Sequence, residues 1–361
     1  MFHYAIKPPV VRLQPKSGIE QVMVHASRIA SILLGVVALV VVLHLGRTIL
    51  APITLAVVIG LMFGPLADRF ERKGVKPAFS SAIVVLLFLA SMVALALAFS
   101  LPLTEWAQKI PQIWAKLRHV AESWRDTLAS VAKVSDQLKG IDGQSGLTVQ
   151  VDEGNPAVNA AFLAPELLAQ CALFLTVLYF FIATRHDVRN AILRLCMGRR
   201  LRWRMAHIFR DAERLVSHYL LAITGINLLL GASVALAMSL LGVPSPFLWG
   251  LLAAILNYVV YIGPAAMVAI LVAVGVSTFG SMPMMLAPAG TYLVLNLIES
   301  QLLTPNVLGR RLELNPFIVF LAFVFWLWLW GPVGGFVAVP LLLIGSVTIT
   351  HMLPLLPTRR A

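Results

Sequence analysis

The sequence predicts an all-α polytopic membrane protein, with about six to eight transmembrane helices, broken or re-entrant hairpins, and an extracytoplasmic amphipathic helical segment. Three observations predict it. Of 361 residues, 59% are hydrophobic and 12% charged, about half the charged share of a soluble domain, and mean hydropathy is +0.88. Apolar runs long enough to cross a bilayer recur along the chain. The formal net charge of +12 reads as the Lys/Arg excess of cytoplasmic loops. No basic-aromatic module accompanies that charge, so no nucleic-acid partner is expected.

Residues 1–27 carry Lys7, Arg12 and Lys16 among Pro8, Pro9 and Pro15, the composition of a disordered cytoplasmic tail. Arg28–Leu45 is the first expected span. It is too long, and lacks the small-residue site, for a cleavable signal peptide. Ile49–Leu66 is the second, with Pro52 in its first turn, where a missing N–H costs least. Asp68–Lys76 holds four cations, Arg69, Arg72, Lys73 and Lys76, and marks a cytoplasmic loop. Ala78–Leu101 closes this first transmembrane group (28–101).

The stretch 102–160 is the extended polar region, and its near balance of acids and bases places it outside the cell. Trp106, Ile110, Ile113, Leu117, Val120, Trp124, Leu128, Val131 and Leu138 recur at mostly helical steps. The face opposite is charged, from Glu105 to Lys133. Such a stripe over 105–139 must be covered by the membrane surface, by its own protein or by a second subunit. Residues 140–156, rich in Gly, read as an exposed loop.

Phe162–Ala183, the core of a transmembrane segment at 161–184, returns the chain inward. Residues 185–217 then carry nine arginines, from Arg185 to Arg214, the strongest orientation signal in the sequence. Leu201, Met205, Ile208, Ala212, Leu215 and Tyr219 step at three and four. An amphipathic cytoplasmic helix therefore leads directly into the span Tyr219–Leu241. The Arg face either sets topology as a solvated surface or holds anionic headgroups. Cys171 and Cys196 fall in different environments, so no disulfide is expected.

The core at 218–353 differs from the rest. Phe247–Ile262 is short and ends at Gly263-Pro264, and Ala265–Phe279 is equally short. Met284–Leu303 is full length. Phe317–Trp330 is short again and ends at Gly331-Pro332, and Val333–Thr350 follows. A tail, 354–361, closes the chain with Arg359-Arg360. Paired interruptions of this kind are the best sequence pointer to a transport site. Parity puts both termini in the cytoplasm whether the pairs cross the bilayer or re-enter it.

Between the pairs lies a polar insert, Glu299 to Pro316. Glu299 ends a span, where an acid must be paired, protonated or wet. It is either a coupling group for a proton or cation, or an interfacial acid paired with the cytoplasmic Arg310 or Arg311. Asn227, Asn257, Asn296 and Gln301 are candidates to bind a small polar molecule, and interhelical hydrogen bonding is the plain alternative for any one asparagine. Gly263, Pro264, Pro305, Asn306, Gly309, Asn315, Pro316, Gly331 and Pro332 form the expected hinges and broken-helix positions. No His-Glu-x-x-His, Gly-x-Ser-x-Gly or Walker pattern is present, and the spans hold no Asp pair. Neither an enzyme nor an ATP-driven pump is expected, and no metal or cofactor beyond a coupling H+ or Na+.

Pro305-Asn306-Val307-Leu308-Gly309 with Leu314-Asn315-Pro316, then Gly331, Gly334 and Ala338-Val339-Pro340-Leu341, resembles the bacterial autoinducer-2 exporter family, the PerM-like permeases. Tyr261-Ile262-Gly263-Pro264 after Asn257 fits the same pattern, and the resemblance covers roughly 28–355. It implies an inner-membrane permease exporting a small polar molecule such as autoinducer-2, driven by an ion gradient, or a sodium(lithium)/proton antiporter. It also implies a homo-oligomer, which gives the 105–139 helix a partner. A non-transporting membrane scaffold is the alternative of another class. Phe323–Trp330 departs from the family in its aromatic density. Those rings either face the pathway or form an interfacial belt.

Overall fold

The computed structural model describes residues 18–136, 156–196, 198–308 and 315–352. Every regular element among them is helical: α1 (Gly18–Leu45), α2 (Arg47–Arg72), α3 (Pro77–Asp136), α4 (Pro156–Leu195), α5 (Arg199–Leu240), α6 (Pro246–Leu256), α7 (Ile262–Thr278), α8 (Met282–Ile298), α9 (Thr304–Leu308) and α10 (Pro316–Met352). Six are long and apolar enough to cross a membrane: α1 from His25, α2, α3 to Ser100, α4 from Pro165, α5 and α10. The protein is an all-α polytopic membrane protein. Residues up to Arg47 form a unit of their own, occupied by α1, whose sides are almost wholly exposed. Residues 1–17 of the expected N-terminal tail, the C-terminal tail and the Gly-rich loop up to residue 155 lie outside the described residues, whereas residues 18–27, expected as disordered tail, are helical as the start of α1, and Pro156 opens α4.

From Thr48 onward two cores hold the helices. One joins α2, α3 and α4 through Ala56, Ile59, Val84, Leu178 and Ile182. The other joins α5 through α8: Leu230, Val234 and Met238 meet Leu248, Trp249, Ala253, Met267, Leu271 and Tyr292. Here α5 and α6 cross with backbones touching. A Cβ on Gly250 would lie 2.3 Å from the Gly231 carbonyl oxygen, so only glycine allows the approach. Large apolar side chains such as Leu86, Leu168, Leu228 and Phe317 point outward and are more than half exposed. In water that much apolar surface is a liability, and in lipid it is the ordinary outer face of a span.

One expected boundary disappears. The third span and the amphipathic stripe form one helix of 60 residues, about 90 Å long, that runs through Pro102 and Pro111. It is fastened beyond its membrane half. Trp106 is buried edge-on against Trp249, with centroids 4.8 Å apart. Lys116 Nζ donates to the Ser277 carbonyl at 2.9 Å. The start of the stripe thus packs on its own chain, while Ile110 and Trp114 are exposed. The amphipathic helix from Arg199 and the fifth span are one helix of 42 residues, α5, as the sequence places them, while Arg185, Arg189 and Arg194 belong to α4.

Both interrupted pairs are present as helical turns-about. In the first, α6 stops at Leu256 after 11 residues, about 16 Å and too short to span. The break falls at 257–261, not at Gly263-Pro264. Proline in a first turn opens a helix at little cost, and Pro264 does so for α7. Gly263 is required for a different reason: a Cβ there would sit 1.8 Å from the Leu256 carbonyl oxygen. In the second pair the break is where the sequence places it. Gly331 has φ 63°, ψ −145°, a combination open essentially to glycine. A Cβ on Gly334 would be 1.8 Å from the Trp326 carbonyl oxygen. Eight residues of straight helix span about 12 Å, so α10 folds back on itself at Gly331. Of its aromatic run, Phe323 and Trp330 are buried while Trp328 and Phe325 face outward.

Candidate functional site

A cavity of about 530 Å³ opens where α5, the 257–261 break, the end of α8 and α10 converge. From α5 come Tyr219, Ile223 and Asn227, at steps of four and therefore on one helical face. The break adds Asn257, Tyr258 and Tyr261, and Pro264 at the start of α7 lies on the same wall. Tyr261 is held at φ 65°, strained for a residue with a side chain. Its ring packs on Phe320 and Phe323 at 5.7 and 6.0 Å. From α8 onward come Asn296, Glu299, Ser300, Thr304 and Leu308, and α10 closes the site with Val319, Val339 and Leu343.

The three asparagines form one directional chain. Asn296 Nδ2 donates to Asn257 Oδ1 at 3.3 Å, and Asn257 Nδ2 donates to Asn227 Oδ1 at 2.9 Å. Asn227 Nδ2 is buried and has no partner among the described residues. Beside them Tyr258 donates its hydroxyl to Thr224 at 2.8 Å. The interhelical and site readings of these residues thus merge: two amides are spent on each other and an N–H is left over at the end.

Glu299 is buried, 6% exposed. It begins a π-helical turn, Glu299–Leu303, that links α8 to α9. The Thr304 N–H bonds the Glu299 carbonyl, and the Thr304 hydroxyl donates to the Glu299 carboxylate. Pro305 explains the wider turn. Lacking an N–H, it cannot complete an α-type ladder at this point, and a π-turn redistributes the carbonyls. Among the described residues no cation pairs with Glu299. Its expected partners Arg310 and Arg311, with Gly309, lie outside the described residues.

The other expected site residues scatter. Gln301 points out of the π-turn, exposed, and Pro305 and Asn306 are exposed on α9. Asn315 accepts the Phe317 N–H on its side-chain oxygen at 2.9 Å, which caps α10 just ahead of Pro316. Gly331 and Pro332 form the fold-back of α10. Tyr219, Tyr258, Tyr261 and Thr304 are cavity residues the sequence reading missed. The four-residue step from Tyr219 to Asn227 was available as a signal.

A second polar centre was read only as topology. Arg185 of α4, its side chain 8% exposed, is enclosed by the end of α2. Its Nη1 donates to the Gly64 carbonyl at 2.7 Å, and its Nη2 donates to Glu71 Oε1 at 3.0 Å and to Asp68. Ser80 of α3 also donates to Glu71. Asp68, Glu71 and His186 lie close enough together to hold a metal ion. However, Arg185 Nε donates to His186 Nε2 at 3.2 Å, and both carboxylates already face the guanidinium. The cation that fits this cluster is Arg185 itself.

The model of the AI-2E family transporters matches residues 33–354. The chain belongs to this family. The AI-2 transport protein TqsA of Escherichia coli (strain K12) is 29% identical over 328 residues, 88% of this chain and 90% of TqsA. The putative transport protein YhhT of the same strain is 27% identical over 318 residues, covering 86% of this chain and 87% of YhhT. The putative transport protein YrrI of Bacillus subtilis (strain 168) is 23% identical over 325 residues, 85% and 87% of the two chains. As an AI-2E family member the protein is a multi-pass membrane transporter, and its cavity of amides and one acid lies among the helices of that architecture.

Proposed function

We propose that this AI-2E family member is a secondary transporter that exports a small, neutral, hydroxyl-bearing molecule across the bacterial inner membrane, with Glu299 coupling export to an ion gradient. The observation that carries the reading is the composition of the cavity: a chain of three amides ending in an open N–H, with one buried carboxylate beside it. The buried N–H of Asn227, unpaired among the described residues, would serve an oxygen on a polar solute that reaches it and offers nothing to Na+, which needs oxygen ligands. The carboxylate can take up and release a proton as the cavity changes exposure. The likeness to TqsA, an AI-2 transport protein, supports an autoinducer-2-like cargo. The two fold-backs suit opposed gates, with the basic ends of α2, α4 and α5 and both termini in the cytoplasm. Exposed Ile110 and Trp114 on α3 support a homo-oligomer through that helix.

The test is flux in proteoliposomes over a panel of polyols, sugars and monovalent cations, with an imposed pH gradient. The reading expects polyol flux that follows the gradient. In Glu299→Gln, exchange persists and uphill movement stops. A second reading, the sodium(lithium)/proton antiporter, draws on the unpaired carboxylate. It requires sodium-dependent collapse of the pH gradient, lost in Glu299→Gln, with no polyol flux.

A further inference from the structure

His351 and Asp211 meet away from the cavity of Glu299. His351 lies in the last turn of α10. Its Nδ1 faces the Val347 carbonyl oxygen at 3.0 Å, and its Nε2 faces Asp211 Oδ2 of α5 at 3.3 Å. Both neighbours can only accept. A neutral imidazole has one N–H, so it satisfies one of them and turns a lone pair on the other. The imidazolium satisfies both, and a helix C-terminus favours a cation. We propose that His351 and Asp211 form a proton-binding site, separate from Glu299, that latches the C-terminal arm of α10 to α5 when occupied and loosens it when empty.

The surroundings make the latch sensitive. From α5, Arg210 Nε lies 3.7 Å from Asp211 Oδ1. Arg214 lines the same recess of about 320 Å³, and the His207 ring is 6.5 Å from that of His351. Among the described residues, α10 adds no other charged group there. One carboxylate therefore favours the proton while two guanidiniums oppose it. The histidine of the other polar centre is placed differently, since His186 Nε2 lies 3.2 Å from the fixed cation Arg185 as well as 3.4 Å from the Glu71 carboxylate. Beneath the latch Ile208, Ala212 and Val347 form a small apolar cluster, with Met205, Leu215 and Ile344 packed against it.

The arm connects this site to the cavity. Val339 and Leu343 line the cavity, and Val347 and His351 follow at steps of four, on the same helical face. Loosening at His351 frees the wall that Leu343 presents. The sign is fixed: protonation fastens the arm and loss of the proton releases it.

The experiment uses the full chain in lipid nanodiscs, with Cys171 and Cys196 replaced by Ser and spin labels on Leu201→Cys of α5 and Ile349→Cys of α10, both exposed in the native chain. Pulsed EPR should give a narrow distance distribution at about pH 5.5 and a broad one at about pH 8.5. His351→Gln and Asp211→Asn should each remove that change, His207→Gln should keep it, and His351→Arg should stay narrow at both pH values. A wild-type distribution that does not move with pH overturns the proposal. So does a His351→Gln variant that titrates like wild type, or a change abolished by His207→Gln alone.

Discussion

Gly263→Ala measures how tightly the first fold-back is closed. The new Cβ would start 1.8 Å from the Leu256 carbonyl oxygen and 2.6 Å from its carbon. Both are backbone atoms, so no side chain can swing aside. Restoring an ordinary contact of about 3.4 Å requires the end of α6 to move by about 1.6 Å relative to α7, an overpacking that costs about 1–3 kcal/mol. That movement carries Asn257, the residue after Leu256. Its hydrogen bonds at 2.9 and 3.3 Å would stretch past hydrogen-bonding range, at about 1 kcal/mol each. The expected loss is therefore about 3–5 kcal/mol, a fall of several degrees in melting temperature. The control is Gly290→Ala in α8, where an added Cβ meets nothing within 4 Å. Melting curves of both variants, purified in the same detergent, decide it. If Gly263→Ala melts with Gly290→Ala, the close approach does not hold the fold-back and the reasoning is wrong.

Arg185→Met should cost about 3 kcal/mol, because it strands Glu71 and Asp68 without their counter-charge, and Arg185→Lys should recover only part of it, since one ammonium cannot reproduce the guanidinium's four contacts. Thermal melts and the monodisperse fraction after extraction report both. Tyr292→Phe removes a wholly buried hydroxyl that has no partner among the described residues. It should leave the melting point unchanged or raise it, by up to about 1 kcal/mol of stability, and a clear loss would mean the hydroxyl is used.

The spans were legible because lipid imposes length and apolarity on each of them, and Gly331 was legible because a glycine followed by proline between two short apolar runs has few other uses. Asn227, Asn257 and Asn296 were legible as expensive polar groups inside such runs. The contact between Glu299 and Thr304 was not. Five residues apart, they meet only across a π-turn, and a periodicity of 3.6 places them on different faces. Nor was the role of Arg185. Charge counting assigned it to a loop, while its partner Asp68 lies 117 positions away. The boundary expected at Leu101 rested on the change from apolar to polar sequence. The helix runs through it and through Pro102 and Pro111, and Trp106 and Lys116 anchor it to α6 and α7.

The π-turn also acts as a phase shifter. It accommodates one more residue than an α-turn would, and so rotates everything after it back by about 100° relative to an unbroken helix. Without that correction Thr304 and Leu308 would lie well around the cylinder from Asn296. With it, Asn296, Ser300, Thr304 and Leu308 share the face that borders the cavity. Gln301, exposed and outside the cavity, supplies spacing through its backbone alone. A chain shortened by that single residue could close the same stretch as ordinary α-helix, with Asn296 and Thr304 seven positions apart and about 20° from one face, so the cavity side chains would keep their alignment and only the π-turn itself would be lost.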